Sequence, residues 1–251
     1  MKISIITATY NSEKTIKSCL QSVKDQDYEN IEHIIIDGNS TDNTCEILSK
    51  YAENNPFVTY ISEKDKGIYD ALNKGLQVAT GAIIGFLHSD DEFFSSNTIS
   101  NIASTFQKNN TDGVYGDLNY ISATNSNRVI RYWRSQIFEK KLLKKGWMPP
   151  HPTLFLKKEV YEKHGDFDLS FKIAADYDFI LRVFQDDSIH FQYLSEVITN
   201  MRLGGASNAM SSLTTKMLED IHALKKNHFS QPYLVIIKKN ISKLPQLIKN
   251  K

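Results

Sequence analysis

No stretch of this chain approaches the ~18 consecutive apolar residues that a bilayer-spanning helix needs. The N-terminus also lacks a basic segment followed by an apolar one, and Ile3 onward already reads as a strand. Both absences make the cytoplasm the expected location. Cysteine is nearly missing. Cys19 and Cys45 have no metal-type spacing, fall in helix-like segments and are expected to be reduced and structural. An excess of positive charge is lacking as well, since the formal net charge is +1. From Ile221 to Lys251 there are seven lysines and no acidic residue, so the first 220 residues carry −6. That distribution argues against nucleic acid as a partner. Internal repeats and low-complexity segments are absent. What remains is 251 residues, 41% of them hydrophobic, enough for one sizeable core as a large domain or a domain with an appendage.

The first hundred residues alternate strand and helix signals. Ile3 to Ala8, Ile31 to Ile36, Val58 to Ser62 and Ile83 to Leu87 are apolar, β-rich runs. Helical segments separate them: one capped by Ser12 and running to about Val23, one from Thr41 or Asp42 to Glu53, and one from Ile68 to Val78. Such spacing predicts right-handed βαβ units and a parallel sheet. From about Val114 the pattern changes. Gly113 to Asp117 reads as a strand, Asn119 to Arg134 as a hairpin turning at Asn125-Ser-Asn127, and Met148-Pro-Pro-His-Pro152 as a rigid irregular passage. Thr153 to Leu156 and Ser195 to Met201 follow as strands, with helices over Lys158 to His164 and Asp176 to Phe184. The chain thus divides into residues 1–112, 113–210 and a helical basic tail, 211–251.

The fourth strand ends in His88-Ser-Asp-Asp91. Two adjacent carboxylates beyond a buried strand either lie solvated in a loop or hold a divalent cation with its ligand. In open α/β sheets, ligands bind beyond the carboxyl ends of the strands. Here those ends are Thr7-Ala-Thr-Tyr-Asn11, Asp37-Gly-Asn-Ser40, Glu63-Lys-Asp-Lys-Gly67 and the Asp-Asp segment, none of them a bare apolar turn. A sugar nucleotide would give each a task. Tyr10 would stack on a base or pack in the core, and Asp37 would accept from an imide or only shape a turn. Gly67 opens a helix whose N-terminus favours anions. A diphosphate beside carboxylates needs a hard cation, Mg²⁺ or Mn²⁺, at Asp91, with Asp90 or Ser89 on a ribose hydroxyl. Group transfer also needs a base. Asp176, after the apolar Phe171 to Ala175 stretch, either takes that role or caps its helix, or does both with its two oxygens. His151 and Trp133 are acceptor-side candidates or structural residues.

Taken together, Thr7-Ala-Thr-Tyr-Asn11, Asp37-Gly-Asn-Ser-Thr-Asp42, Asp65-Lys-Gly-Ile-Tyr-Asp-Ala-Leu-Asn-Lys-Gly75 and Ser89-Asp-Asp91 resemble the inverting glycosyltransferases of family 2. The likeness continues through His151-Pro-Thr, Gly165-Asp-Phe-Asp168 and Ala174-Ala-Asp-Tyr-Asp178. It implies a GT-A fold: an α/β protein with a mostly parallel central sheet flanked by helices and merged with a smaller acceptor region. It implies a nucleotide-sugar donor, often a UDP-sugar, and a divalent metal at Asp91. The implied donor contacts are Thr7, Thr9, Tyr10, Asp37, Asn39, Asp65, Gly67, Asp70, Asn73, Lys74, Ser89 and Asp90, with Asp176 as general base. Ala175 stands where many relatives have an acidic residue, which weakens a paired acidic site. The Gln-x-x-Arg-Trp motif of processive relatives is absent.

The expectation is therefore a nonprocessive hexosyl- or N-acetylhexosaminyltransferase. It would act on a lipid-linked acceptor, such as a polyprenyl-diphosphate saccharide, or on a surface polysaccharide such as lipopolysaccharide O-antigen or capsule. Two rivals are a binding module without activity and a sugar nucleotidyltransferase. The latter wants a glycine-rich, cationic loop after the first strand, which Ala8-Thr-Tyr-Asn11 does not provide. Arg202-Leu-Gly-Gly-Ala-Ser-Asn208 is either a mobile segment near the diphosphate or a plain connection. The tail mixes Tyr233 to Ile237 with Lys238, Lys239, Lys243 and Lys249 around Pro245. It either touches anionic lipid at the inner face of the cell membrane or packs on the domain.

Overall fold

The computed structural model describes residues 1–204 and 213–242. Residues 205–208 of the Gly-Gly segment, and Lys243, Pro245 and Lys249 of the tail, lie outside the described residues.

Strands β1 (Ile3–Thr9), β2 (Ile31–Asp37), β3 (Val58–Ser62) and β4 (Ile83–Phe86) lie in the order β3-β2-β1-β4, all parallel. β1 is buried along its whole length because both faces of the sheet are covered. Ile3 and Ile5 point into a core shared with α1 (Ile16–Lys24), α2 (Thr44–Glu53) and α4 (Thr98–Lys108). Ile6 and Ala8 point to the opposite core, against α3 (Ile68–Val78), α5 (Lys158–His164) and α6 (Ala175–Phe184). The continuous apolar strand runs are thus the sequence signature of a sheet between two helical layers. α4 presents Ile99, Ile102, Ala103 and Phe106 to the core at helical spacing, an element the motif-led pattern does not include.

Beyond β4 the sheet becomes mixed. β8 (Phe155–Lys157) runs antiparallel to β4, and β6 (Gly113–Ile121) antiparallel to β8. β9 (Phe191–Arg202) is parallel to β6, and the short β5 (Glu92–Phe93) is antiparallel to the end of β9. β7 (Val129–Trp133) completes a hairpin on β6. β6 and β9 run longer than their apolar segments suggest, because each is held by a ladder that polar residues also join. α7 (Leu213–Lys226) and α8 (Pro232–Ile241) contribute Ala223, Leu224, Val235 and Ile236 to the core containing α6.

Two helix starts differ from expectation. α1 begins at Ile16, since Ser12 sits in a preceding turn in which its carbonyl accepts from the Thr15 and Ile16 amides. Its hydroxyl meets the Tyr10 carbonyl and the Ser89 hydroxyl instead of capping. α2 begins at Thr44, whose amide donates to Asp42 Oδ1 at 3.0 Å.

Candidate active site

Because β1 to β4 are parallel, Thr9, Asp37, Ser62 and the residues after Phe86 emerge at one edge. Asp37 and Asp91 therefore share this rim. The Asp37 carboxylate is fully buried and saturated: it accepts from the Ser40 amide and hydroxyl, the Ser62 hydroxyl and the Cys45 thiol. Ser40 in turn accepts from the Asn11 amide at 2.8 Å, and Asn11 Oδ1 accepts from the Thr41 amide. Asn11 and Asn39 take left-handed backbone conformations (φ 49° and 62°) that asparagine tolerates better than most residues. Asp65 lies against Gly38 so closely that a Cβ there would sit 2.6 Å from its Oδ2. A side chain at residue 38 would push the Asp65 carboxylate away. The start of α3 already has local carboxylates, as Asp65 accepts from the Gly67 amide and Asp70 from the Lys66 amide.

The Asp-Asp loop is held by Arg202 at the end of β9. Pairing of Glu92 with Asn200 brings the two segments together. The Arg202 amide donates to Asp91 Oδ1 at 3.0 Å, its guanidinium to the Asp90 carbonyl and to Glu92. Asp91 is completely buried, and its Oδ2 has no hydrogen-bond partner among the described residues. Burial, with Asp90 beside it, pushes the Asp91 carboxyl well above its ordinary value, against the pull of Arg202. Such a group fits a bound cation. Among the described residues no three His, Cys, Asp or Glu cluster to hold a metal alone. Asp91 Oδ2 is thus one hard oxygen, and a cation there would need its other ligands from water or a bound molecule.

Asp176 occupies the second position of α6, and the N-cap is Ala174, without a side-chain cap bond. Asp176 is thus not the cap of its helix. The turn that leads into α6 is held from α7: Glu219 accepts from the Lys172, Ile173 and Ala174 amides at 3.0, 2.8 and 3.0 Å. The Tyr69 hydroxyl lies 2.6 Å from the Ile173 carbonyl and 3.2 Å from Asp176 Oδ1. Burial, with the Asp176 charge adding, raises the Tyr69 phenol far above its ordinary value, so it stays a donor. His151 stacks on Phe86 and meets the His88 ring at 5.7 Å. Burial lowers the His151 imidazole to about 4, and lowers His88 too although Asp90 and Asp176 oppose it.

These parts border one cavity of about 1330 Å³. Of the candidate residues, Thr9, Tyr10, Asp65, Gly67, Ser89, Asp90 and Asp176 line it, as do His151 and Trp133. Tyr10 is 60% exposed, an aromatic face held open to the cavity. Thr7, Asp37, Asn39, Asp70, Asn73, Lys74 and Asp91 are not among its lining residues. Thr7 is buried against His33 Nε2. Asn73 bonds Phe167 through both ends of its amide, and Lys74 pairs with Glu63 and the Lys64 carbonyl. Sequence reasoning did not single out Tyr69, Glu219 or the clamp made by Arg202. Tyr69 had a local signal, lying inside the Asp65 to Gly75 motif, and Arg202 opens the Gly-Gly stretch, but Glu219 had none.

Residues 4–165 match the family model described as Glycosyl transferase family 2. A PGL/p-HBAD biosynthesis glycosyltransferase of Mycobacterium tuberculosis is 29% identical over 82% of this chain and 79% of its own length. An uncharacterized glycosyltransferase of the same species is 31% identical over 72% of this chain and 68% of its own. The chain is structurally similar to S. aureus TarS 1-349 in complex with UDP-GlcNAc (TM-score 0.67, 19% identity, 99% of this chain and 79% of that one). It is likewise similar to the mannosyltransferase PcManGT from Pyrobaculum calidifontis in complex with GDP-Man and Mn²⁺ (TM-score 0.66, 18% identity, 100% and 76%).

Proposed function

Since the chain belongs to glycosyl transferase family 2, we propose that this glycosyltransferase moves one sugar from a UDP-sugar to a saccharide hydroxyl with inversion at the anomeric carbon. The observation that carries this reading is the meeting of Tyr10, Asp65, Asp90 and Asp176 around one cavity. Tyr10 offers a stacking face for the base, and Ser89 and Asp90 offer acceptors for ribose hydroxyls. Asp176 takes the acceptor proton as that oxygen bonds to the anomeric carbon. The bond to the diphosphate oxygen breaks, and its electron pair leaves with the nucleotide. Tyr69 holds Asp176 Oδ1, leaving Oδ2 for the acceptor. Mn²⁺ or Mg²⁺ held at Asp91, when bound, neutralises charge on the leaving diphosphate.

Among the described residues no helix is long and apolar enough to cross a membrane. On α8, however, Tyr233, Leu234, Ile237 and Ile241 are exposed within one 100° arc, beside Lys238. This face suits an anionic membrane surface, where a lipid-linked acceptor would be presented. A thermal-shift screen of UDP- and GDP-sugars with Mn²⁺, followed by transfer assays, tests the reading. Asp176→Asn should bind the donor normally and lose about 10²–10⁴-fold in transfer. Undiminished transfer would remove Asp176 from the base role.

A further inference from the structure

The cavity does not end at Asp176. It continues to a wall built by α6, α7 and α8, where Trp147, Tyr177, Asp220 and Lys239 line it. Asp220 Oδ2 accepts from Lys239 Nζ at 2.9 Å, and that ammonium lies 3.4 Å from the centre of the Tyr177 ring. The pair neutralises its own charge. Yet two polar atoms in it have no hydrogen-bond partner among the described residues: Asp220 Oδ1, on a residue 6% exposed, and the Tyr177 hydroxyl, on a residue 2% exposed. Buried polar atoms left unsatisfied are costly, and these two belong to residues that line the cavity, where a polar ligand can complete the network.

The surroundings are stiff. Gly146 takes φ +75°, and a Cβ there would lie 2.5 Å from Lys239 Cβ and 2.8 Å from the Val235 carbonyl oxygen. The turn that carries Trp147 is thereby pressed onto α8. Trp147 stacks on Phe138 and meets Tyr115 edge-on, which fixes its plane. Asp176 is close enough for its charge to act on the Lys239 ammonium, while burial draws that ammonium below the ordinary lysine value.

We propose that Tyr177 and Asp220, with Lys239 behind them and Trp147 beside them, form the acceptor subsite, and that it takes a neutral sugar ring. A hydroxyl of that ring donates to Asp220 Oδ1 and another oxygen accepts from the Tyr177 hydroxyl, while Trp147 covers an apolar sugar face. A phosphate suits this wall less well, because Asp220 already occupies the buried ammonium. The inference rests on the glycosyltransferase reading and names the acceptor chemistry of the same cavity.

The test uses saturation-transfer NMR on the full chain with Mn²⁺ and UDP or GDP. The probes are neutral p-nitrophenyl glycosides of glucose, galactose, mannose and N-acetylglucosamine, and the glucuronide as an anionic control. At least one neutral glycoside should bind, and Tyr177→Phe and Asp220→Asn should each weaken it about tenfold while nucleotide affinity stays unchanged. If Asp220→Asn misfolds because Lys239 loses its partner, Asp220→Asn with Lys239→Met replaces it, and Tyr177→Phe decides independently. Wild-type affinity in both variants, preference for the glucuronide, or no neutral glycoside bound would overturn the subsite. Failure of both nucleotides to bind would instead count against the donor reading and leaves the glycoside result to be read by itself.

Discussion

The Glu219 carboxylate accepts hydrogen bonds from the Ala174 amide at 3.0 Å, and from the two amides before it, so α7 fixes the turn that enters the helix presenting Asp176. Carboxylates are favoured at a helix N-terminus, where free amides converge. Here the carboxylate comes from 45 residues away rather than from the helix itself. Glu219→Ala should therefore cost about 1–2 kcal/mol in stability and lower kcat about 10–100-fold through misplacement of Asp176. Urea unfolding and steady-state kinetics check the two effects. An unchanged kcat would show that α7 does not position the base.

Asp91 is a fully buried carboxyl with one oxygen unpartnered among the described residues. Asp91→Asn keeps the shape and the bond from Arg202 but removes the ionisable carboxyl. Without metal at neutral pH, this variant should melt a few degrees higher than the wild type, because burying a carboxyl that is ionised in the unfolded chain costs stability. Mn²⁺ should stabilise the wild type and not this variant. A lower melting temperature with the Mn²⁺ response retained would contradict the metal assignment.

Acid sensitivity follows from the buried histidines. Burial lowers His33 to about 3 and His151 to about 4, below the ordinary 6.5. Between those values the unfolded chain binds the protons and the folded chain does not, so folding stability is complete above about 6.5 and declines as pH falls. Each histidine contributes a slope of up to about 1.4 kcal/mol per pH unit. Asp91 acts with the opposite sign because its folded value is raised. Urea unfolding in the Asp91→Asn background isolates the histidine slope, and a flat profile from neutral pH to about 5 would refute it.

The exposed face of α8 makes a separate prediction. Ile237 is 54% exposed, so Ile237→Glu should leave folding intact. It should reduce co-sedimentation with vesicles containing phosphatidylglycerol, and added salt should weaken wild-type binding, since each lysine near such a surface contributes about 1 kcal/mol. Equal sedimentation of both proteins would exclude α8 as the contact.

Much of the nucleotide-side architecture was legible because its signals are local. Apolar runs such as Ile3 to Ala8 mark strands covered on both faces, and parallel βαβ winding carries their polar ends to one edge. Tyr10, Asp65 and Asp90 reach the cavity for that reason. Asp37 sits on the same rim, but its carboxylate is consumed by Ser40, Ser62 and Cys45, a fact no motif reveals. Asn73 and Lys74 likewise serve the scaffold, since their partners Phe167 and Glu63 are supplied by other elements.

By itself, then, the amino-acid order determined the four parallel strands, the helices between them and the family, because periodicity and contiguous motifs are written within a few residues of one another. Only the tertiary structure decided which polar groups are spent internally and which face the cavity. It alone joined Arg202 to Asp91 across 111 positions, and Glu219 and Asp220 to the neighbourhood of Asp176. Hydrogen bonds between distant segments depend on how whole elements pack, and packing leaves no local mark in the sequence.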